Sequence, residues 1–149
     1  MSGSRIPLRI RMAGASDAAV VARLAGQLGY PSTPGDITRR LADQSADSKR
    51  TLLVAEAGGN VIGWILLAEE HSILHEPRVE ILGLVVDEEH RGGEIGRALI
   101  DSAERWARER GCGTIMLRSN VIRERAHRFY ERLGYAVVKS QKVFSKALQ

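Results

Sequence analysis

The sequence predicts a single-domain α/β (α+β) protein, residues 1–149, built on a mixed, mostly antiparallel central sheet of six to seven strands flanked by about four helices. Three observations carry this expectation. Apolar residues switch several times along the chain between the two-residue period of a strand and the 3.6-residue period of an amphipathic helix. Glycines and prolines fall between these stretches, where turns and helix ends need them. The run Ile81-Leu82-Gly83-Leu84-Val85-Val86 is nearly continuous in apolar residues, as suits a strand buried on both faces, and a helical stripe follows it. A chain of 149 residues suits one sizeable core.

In chain order, Leu8-Arg9-Ile10-Arg11-Met12 alternates and reads as a half-buried strand. Ser16 is the expected N-cap of a helix over Asp17 to Leu28, with Val20, Val21, Leu24 and Leu28 inward and Gly29 as terminator. Thr33-Pro34 opens a second helix to Ala46, with Ile37 and Leu41 inward. Thr51 to Ala57 and Val61 to Ala68 are strands around the hairpin signal Gly58-Gly59-Asn60. Glu69 to Arg78 reads as a polar connection carrying His71, His75 and Glu76, and the central strand runs from Arg78 to Val86. Ile95, Ala98, Leu99, Ala103, Trp106 and Ala107 mark a long helix, and Thr114 to Leu117 a further strand. Ala126, Phe129, Tyr130 and Leu133 repeat at helical spacing up to Gly134, and Tyr135–Val138 and Lys142–Ala147 close the chain as two strands. The expected order is β-α-α-β-β-β-α-β-α-β-β.

The chemistry concentrates between Glu80 and Leu99. A strand, a glycine-bearing turn and a helix start place several unpaired N–H groups at the positive end of a helix dipole, which suits a phosphate or pyrophosphate; a plain tight turn is the competing reading. Neither a GxxxxGK[ST] P-loop nor a GxGxxG dinucleotide motif is present. Leu84-Val85-Val86 followed by Arg91-Gly92-Gly93-Glu94-Ile95-Gly96-Arg97 resembles the signature of the GNAT superfamily of acetyl-CoA-dependent N-acetyltransferases, Gln/Arg-x-x-Gly-x-Gly/Ala after a buried strand. The resemblance implies that Leu84 to Val86 and Arg91 to Arg97 bind acetyl-CoA. Glu94 stands where the family carries its middle glycine. Pointing to solvent, it contributes only its backbone N–H; pointing inward, it repels the pyrophosphate. The solvent orientation is the expected one.

Amine acetylation needs a group to take a proton from the amine and an acid to protonate the leaving thiolate. Glu80 is an acid inside an apolar strand, so it is a base candidate, with an ion pair to a neighbour such as Arg78 as the alternative. Several superfamily members carry a general-base glutamate eleven positions before the signature Arg/Gln, the spacing from Glu80 to Arg91. Tyr130 lies on a helix stripe that by itself favours core packing. Asn120, Ala126 and Phe129-Tyr130-Glu131-Arg132-Leu133-Gly134-Tyr135 resemble the family's C-terminal pattern, however, which implies Tyr130 as general acid and Asn120 on the pantetheine arm. The last thirty residues, with Asn120-Val121, Arg123, His127 and the Phe144 to Leu148 ending, look most like the aminoalkylphosphonate N-acetyltransferases. On the acceptor side the resemblance points to Tyr30, in the loop between the first two helices, and His75 is a second candidate there; a surface-packed aromatic is the competing reading of Tyr30.

Composition bounds the rest. Charged residues make up 27% and hydrophobic residues 44%, with no apolar run near the ~20 residues of a membrane span and no signal-peptide segment, which predicts a cytoplasmic protein. Cys112 is the only cysteine, so no internal disulfide or cysteine metal cluster forms, and it reads as a small packed residue. No metal is expected, His71, His75 and Glu76 reading as solvated side chains. The net charge is +4, and residues 119–149 hold seven Lys/Arg against two Glu, which suits an anionic partner such as CoA phosphates or an anionic substrate. With 5% aromatics and no basic run, nucleic acid is not an expected partner. The leading function is an acyltransferase that acetylates a primary amine of a small molecule by direct attack; a homodimer is compatible with it. A protein or peptide N-acetyltransferase and a non-catalytic acyl-CoA-binding module are the alternatives.

Overall fold

The computed structural model of the protein describes residues 7–149, which form two compact units, residues up to Arg118 and residues Ser119–Gln149. In the first unit, β1 (Leu8–Met12), β2 (Arg50–Ala57), β3 (Asn60–Ser72), β4 (His75–Val86) and β5 (Ile115–Leu117) make one sheet in the order of the chain. The first three neighbour pairs are antiparallel, and β4 and β5 are parallel, Val79 opposite Ile115 and Ile81 opposite Leu117. Helices α1 (Ala18–Leu28), α2 (Pro34–Ser45) and α3 (Ile95–Glu109) complete the unit.

Most elements form where the pattern places them. Helix α2 starts in a capping box: the Asp36 N–H donates to the Thr33 hydroxyl at 3.0 Å and the Thr33 N–H donates to the Asp36 carboxylate at 3.0 Å, with Pro34 next. Ile37 and Leu41 pack from α2 against a cluster of Val21, Leu24, Val54 and Trp64. Trp64 satisfies its indole by donating to the Val21 carbonyl at 3.3 Å.

Two local expectations change. Ser16 does not cap α1; a 3-10 turn over Ala15–Asp17 precedes the helix, and the buried Asp17 accepts from the Gly14 N–H at 2.7 Å and from both terminal nitrogens of Arg11 at 2.8 and 3.0 Å. Aspartate offers two acceptor oxygens where a serine offers one hydroxyl, so it joins the turn to β1 as well as closing it. The expected polar connection Glu69 to Arg78 is also mostly ladder: β3 continues to Ser72 and β4 starts at His75. Polar side chains there suit a strand whose faces are solvated at the hairpin end, which hydropathy reads as loop.

Close packing of β3, β4 and α3 depends on Gly63. A Cβ there would lie 2.9 Å from the Val85 carbonyl oxygen, 3.3 Å from Leu99 Cδ1 and 3.5 Å from Ile95 Cγ2. Gly63→Ala is therefore expected to cost about 1–3 kcal/mol by forcing backbone apart, read as a melting temperature several degrees lower; an unchanged melting curve would show that the strands yield freely.

The second unit contains α4 (Glu124–Arg132), ended at Gly134. Phe129 and Tyr130 meet edge-on with ring centroids 5.3 Å apart, and Tyr130 and Tyr135 with centroids 6.0 Å apart. The two closing strands do not form. Residues 135–149 have no strand structure, so the sheet of the described residues has five strands and not six or seven. Alternating apolar residues specify a segment suited to a ladder, but a strand exists only when a partner edge supplies its hydrogen bonds.

Candidate active site

The site begins with an irregularity in β4. Leu66 pairs with Gly83 and Leu67 with Ile81, which leaves Leu82 as an extra residue in a β-bulge. On the other edge, β5 pairs with β4 only over Val79–Ile81 and ends at Leu117. From Gly83 to Val86 β4 therefore has β3 on one side and, among the described residues, no strand on the other. Alternate N–H and C=O groups of Gly83, Leu84, Val85 and Val86 face that open edge, a place where an extended ligand can pair with backbone.

The turn after β4 is held in place from α1. The buried Asp87 accepts from Gln27 Nε2 at 3.3 Å, from Arg23 at 3.4 Å and from the Glu89 N–H at 3.4 Å, while the Glu88 N–H donates to Gln27 Oε1 at 2.9 Å. Burial pushes the Asp87 carboxyl up, but the bonds from Gln27 and Glu89 and the charge of Arg23 together hold it below the usual carboxylate range. Arg91 ties the far side of the turn to the strand end by donating from Nε to the Val86 carbonyl at 3.1 Å.

The helix start then presents donors. Gly92 sits at φ +86°, a conformation glycine adopts without penalty, and swings the chain into α3. The first helical bond of α3 runs from the Ala98 N–H to the Glu94 carbonyl at 2.9 Å, so the amides of Ile95, Gly96 and Arg97 lie before it. Glu94 is exposed and makes no side-chain cap. Bulge, open edge, tied turn and free helix amides follow one another over residues 82–97, and they fit an extended molecule ending in a pyrophosphate.

Glu80 is buried, with 8% of its surface exposed, on β4 beside the parallel ladder. Arg118 donates to its Oε2. An ion pair is the alternative reading of Glu80, and its partner is Arg118 rather than a neighbour such as Arg78. Glu80 faces Met116 in register, and Arg118 lies two residues beyond Met116 on the same face. That alignment follows from the β4–β5 register, which nothing local in the sequence reports. Arg78, two residues before Glu80 on its strand, keeps a buried Nε with no hydrogen-bond partner among the described residues.

The other candidates have these surroundings. His71 bonds Glu69, and His75 Nδ1 lies 2.7 Å from the neighbouring Glu76 carbonyl. Tyr30 is 68% exposed. Cys112 is buried, and burial pushes its thiol up, away from thiolate chemistry. In the second unit, Asn120 binds locally: its Oδ1 accepts from the Ile122 N–H at 3.2 Å, and its carbonyl lies 2.9 Å from His127 Nε2. Burial raises the Tyr130 phenol above the usual tyrosine range, with Arg123 pulling the other way.

A family model described as "Acetyltransferase (GNAT) family" matches residues 21–135. The chain belongs to this family. Among GNAT relatives, the aminoalkylphosphonate N-acetyltransferase of Salmonella typhimurium is 34% identical over 126 residues, covering 84% of this chain and 78% of that protein. Mycothiol acetyltransferase of Propionibacterium freudenreichii is 32% identical over 117 residues, 77% of this chain but only 36% of the relative's own length. The fold is that of the aminoglycoside N-acetyltransferase AAC(6')-Iy solved in complex with CoA, with a TM-score of 0.86 at 16% identity, 99% of this chain and 100% of that chain being covered. The described helices include none long and apolar enough to cross a membrane.

Proposed function

We propose that this single GNAT domain is an acetyl-CoA-dependent N-acetyltransferase acting on a primary amine of a small molecule, without a covalent enzyme intermediate. The observation that carries the reading is the open backbone edge of Gly83–Val86 leading directly into the unpaired amides of α3. Leu84, Val85 and Val86 would pair with the pantetheine arm, and the amides of Gly92, Gly93, Glu94, Ile95, Gly96 and Arg97, with the side chain of Arg91 holding the turn, would take the pyrophosphate. Acetyl-CoA supplies an activated acyl group with a thiolate leaving group. Glu80, directly or through water, takes the proton of the attacking amine, with Arg118 fixing its carboxylate. Tyr130 donates the proton that the leaving sulfur needs, and Asn120 binds the pantetheine arm, roles that rest on the family pattern around them. The cytoplasm, where acetyl-CoA is made and used, is the expected location.

Release of free thiol from acetyl-CoA with a panel of amines tests the reading. Turnover of a small amine supports it, turnover only of peptide amines moves the acceptor to a protein, and tight acetyl-CoA binding with no amine acetylated leaves a non-catalytic module. Glu80→Gln should lower kcat by about 10²-fold, the scale of a positioned base, most steeply at low pH where less amine is neutral. A constant ratio to wild type across pH would make Glu80 a positioning group.

The acceptor is proposed to carry an anionic group beside its amine. Arg78 offers an unpartnered Nε two residues from Glu80, about 7 Å along the strand. Glu69, an acid that a polycationic acceptor would want, is already bonded to Arg110 and His71. Aminoalkylphosphonates, amino acids, polyamines and an aminoglycoside competing at equal concentration should rank in favour of the anionic acceptors by kcat/KM. A tenfold win for a polyamine or aminoglycoside, ~1.4 kcal/mol of transition-state preference, would overturn this and direct attention to Glu70 and Glu76. Tyr30 and His75 are the acceptor-side residues to vary in the same competition.

A further inference from the structure

The last turn of α1 grips the chain where it leaves β4. Gly63 and Trp64 are successive residues of β3, so they point to opposite faces of the sheet. Trp64 packs with Val21 and Leu24 of α1, whereas a Cβ on Gly63 would meet Leu99 and Ile95 of α3. The turn after β4 is therefore held by a helix on one face while it feeds a helix on the other. α1 touches it at two levels. Leu28 lies over the strand, its Cδ2 3.5 Å from where a Cβ on Gly83 would sit. One residue earlier, Gln27 donates from Nε2 to Asp87 Oδ1 at 3.3 Å and accepts the Glu88 N–H on Oε1 at 2.9 Å.

We propose that Gln27 is a positioning residue for acetyl-CoA, setting through Asp87 and Glu88 the path of the turn that delivers the α3 amides to the pyrophosphate. The proposal rests on the reading of those amides given under Proposed function. Its support is the kind of tie that Gln27 makes. The His90 N–H to the Asp87 carbonyl, at 2.8 Å, and Arg91 to the Val86 carbonyl close the turn only on itself. The Asp87 N–H donates to the Ile62 carbonyl at 2.8 Å and fixes the end of the strand. Arg23 reaches Asp87 from α1 at 3.4 Å, but its side chain is 53% exposed, and water screens such a contact. Gln27 grips both a side chain and the main chain of the turn from 60 and 61 residues away. A glutamine amide has a donor end and an acceptor end, and the turn presents the complementary pair, a buried carboxylate and an N–H. The same bonds keep the Asp87 carboxylate directed at α1 and not at the incoming phosphates, which it would repel.

Gln27→Glu tests this with almost no change of shape. The new side chain still accepts the Glu88 N–H, but it sets a carboxylate against Asp87 where a donor stood. Calorimetry should show acetyl-CoA binding weakened about tenfold, the scale of one charge-assisted bond lost. The KM for acetyl-CoA should rise with it while kcat at saturation stays within about twofold, the signature of lost binding and not of lost chemistry. Combining Gln27→Glu with Asp87→Asn exchanges donor and acceptor at constant net charge, and should return affinity to within about threefold of wild type, a coupling that two unrelated substitutions do not show. Gln27→Met, which keeps the length and loses both bonds, gives the same test of affinity if the glutamate variant does not fold. Wild-type affinity in a folded Gln27 variant, with binding abolished by Gly96→Asp, overturns the proposal and leaves the pyrophosphate site standing. Wild-type affinity in both proteins removes the site reading and the proposal with it. A fall in kcat at unchanged affinity, or a double variant no better than Gln27→Glu alone, overturns it equally.

Discussion

Gly93→Asp should leave the protein folded and cut acetyl-CoA affinity by one to two orders of magnitude. Gly93 is exposed, has no positive φ, and an added Cβ would meet only the His90 carbonyl at 3.8 Å, so the backbone accepts a side chain there. What changes is charge. A carboxylate about 5 Å from a pyrophosphate charge costs about 1 kcal/mol in bulk water and about 3 kcal/mol at the effective dielectric of a protein surface, and salt screens it further. Gly96→Asp is the harsher version: Gly96 is buried at the start of α3, so bulk joins repulsion and binding should vanish. Calorimetric titration with acetyl-CoA reads both, and Glu94→Gly is the control. Because the Glu94 side chain is exposed and caps nothing, its removal should leave affinity equal or improved. Undiminished binding by Gly93→Asp and Gly96→Asp would place the pyrophosphate elsewhere. A large loss from Glu94→Gly would give that side chain a positive role.

Tyr130→Phe should lower turnover by about 10²-fold, the scale of a lost general acid, with acetyl-CoA affinity and the melting temperature unchanged. The substitution removes one hydroxyl and keeps the ring, so the edge-on contacts with Phe129 and Tyr135 remain. The pH profile separates acid from structural ring. The phenol's proton affinity is raised by burial, so the acid form persists below its raised pKa and is lost only as pH rises through it. Wild-type kcat should therefore hold on the alkaline side past the ordinary tyrosine value of about 10, and the Phe variant should show a low rate without that limb. Equal turnover in the two proteins would return Tyr130 to packing alone.

How much of this was legible beforehand divides along physical lines. Short-range chemistry reads directly from the chain: the helix start at Thr33-Pro34, the Gly58-Gly59 hairpin and the Arg91–Arg97 turn each depend on residues within one turn of each other, so the pattern and the structure agree. Pattern was weaker where hydropathy and hydrogen bonding part. The polar residues Glu69 to Ser72 still belong to β3, because a ladder needs only a backbone partner. The valines and Phe144 near the end have strand chemistry and no strand, because alternation specifies a segment suited to a ladder and not the ladder itself.

The site shows the same division. The sequence alone determined that an acid inside an apolar run, Glu80, precedes a glycine turn and a helix start, since hydropathy pattern and turn chemistry are properties of neighbouring residues; that the acid is buried came from the structure. Tertiary structure alone decided that Arg118 holds that acid, that Leu82 bulges, and that β5 stops at Leu117 and leaves Gly83–Val86 open. Those three facts are consequences of register between strands, β3 with β4 for the bulge and β4 with β5 for the other two, and a one-residue slip in that register would exchange the two faces of the strand without altering a single local preference.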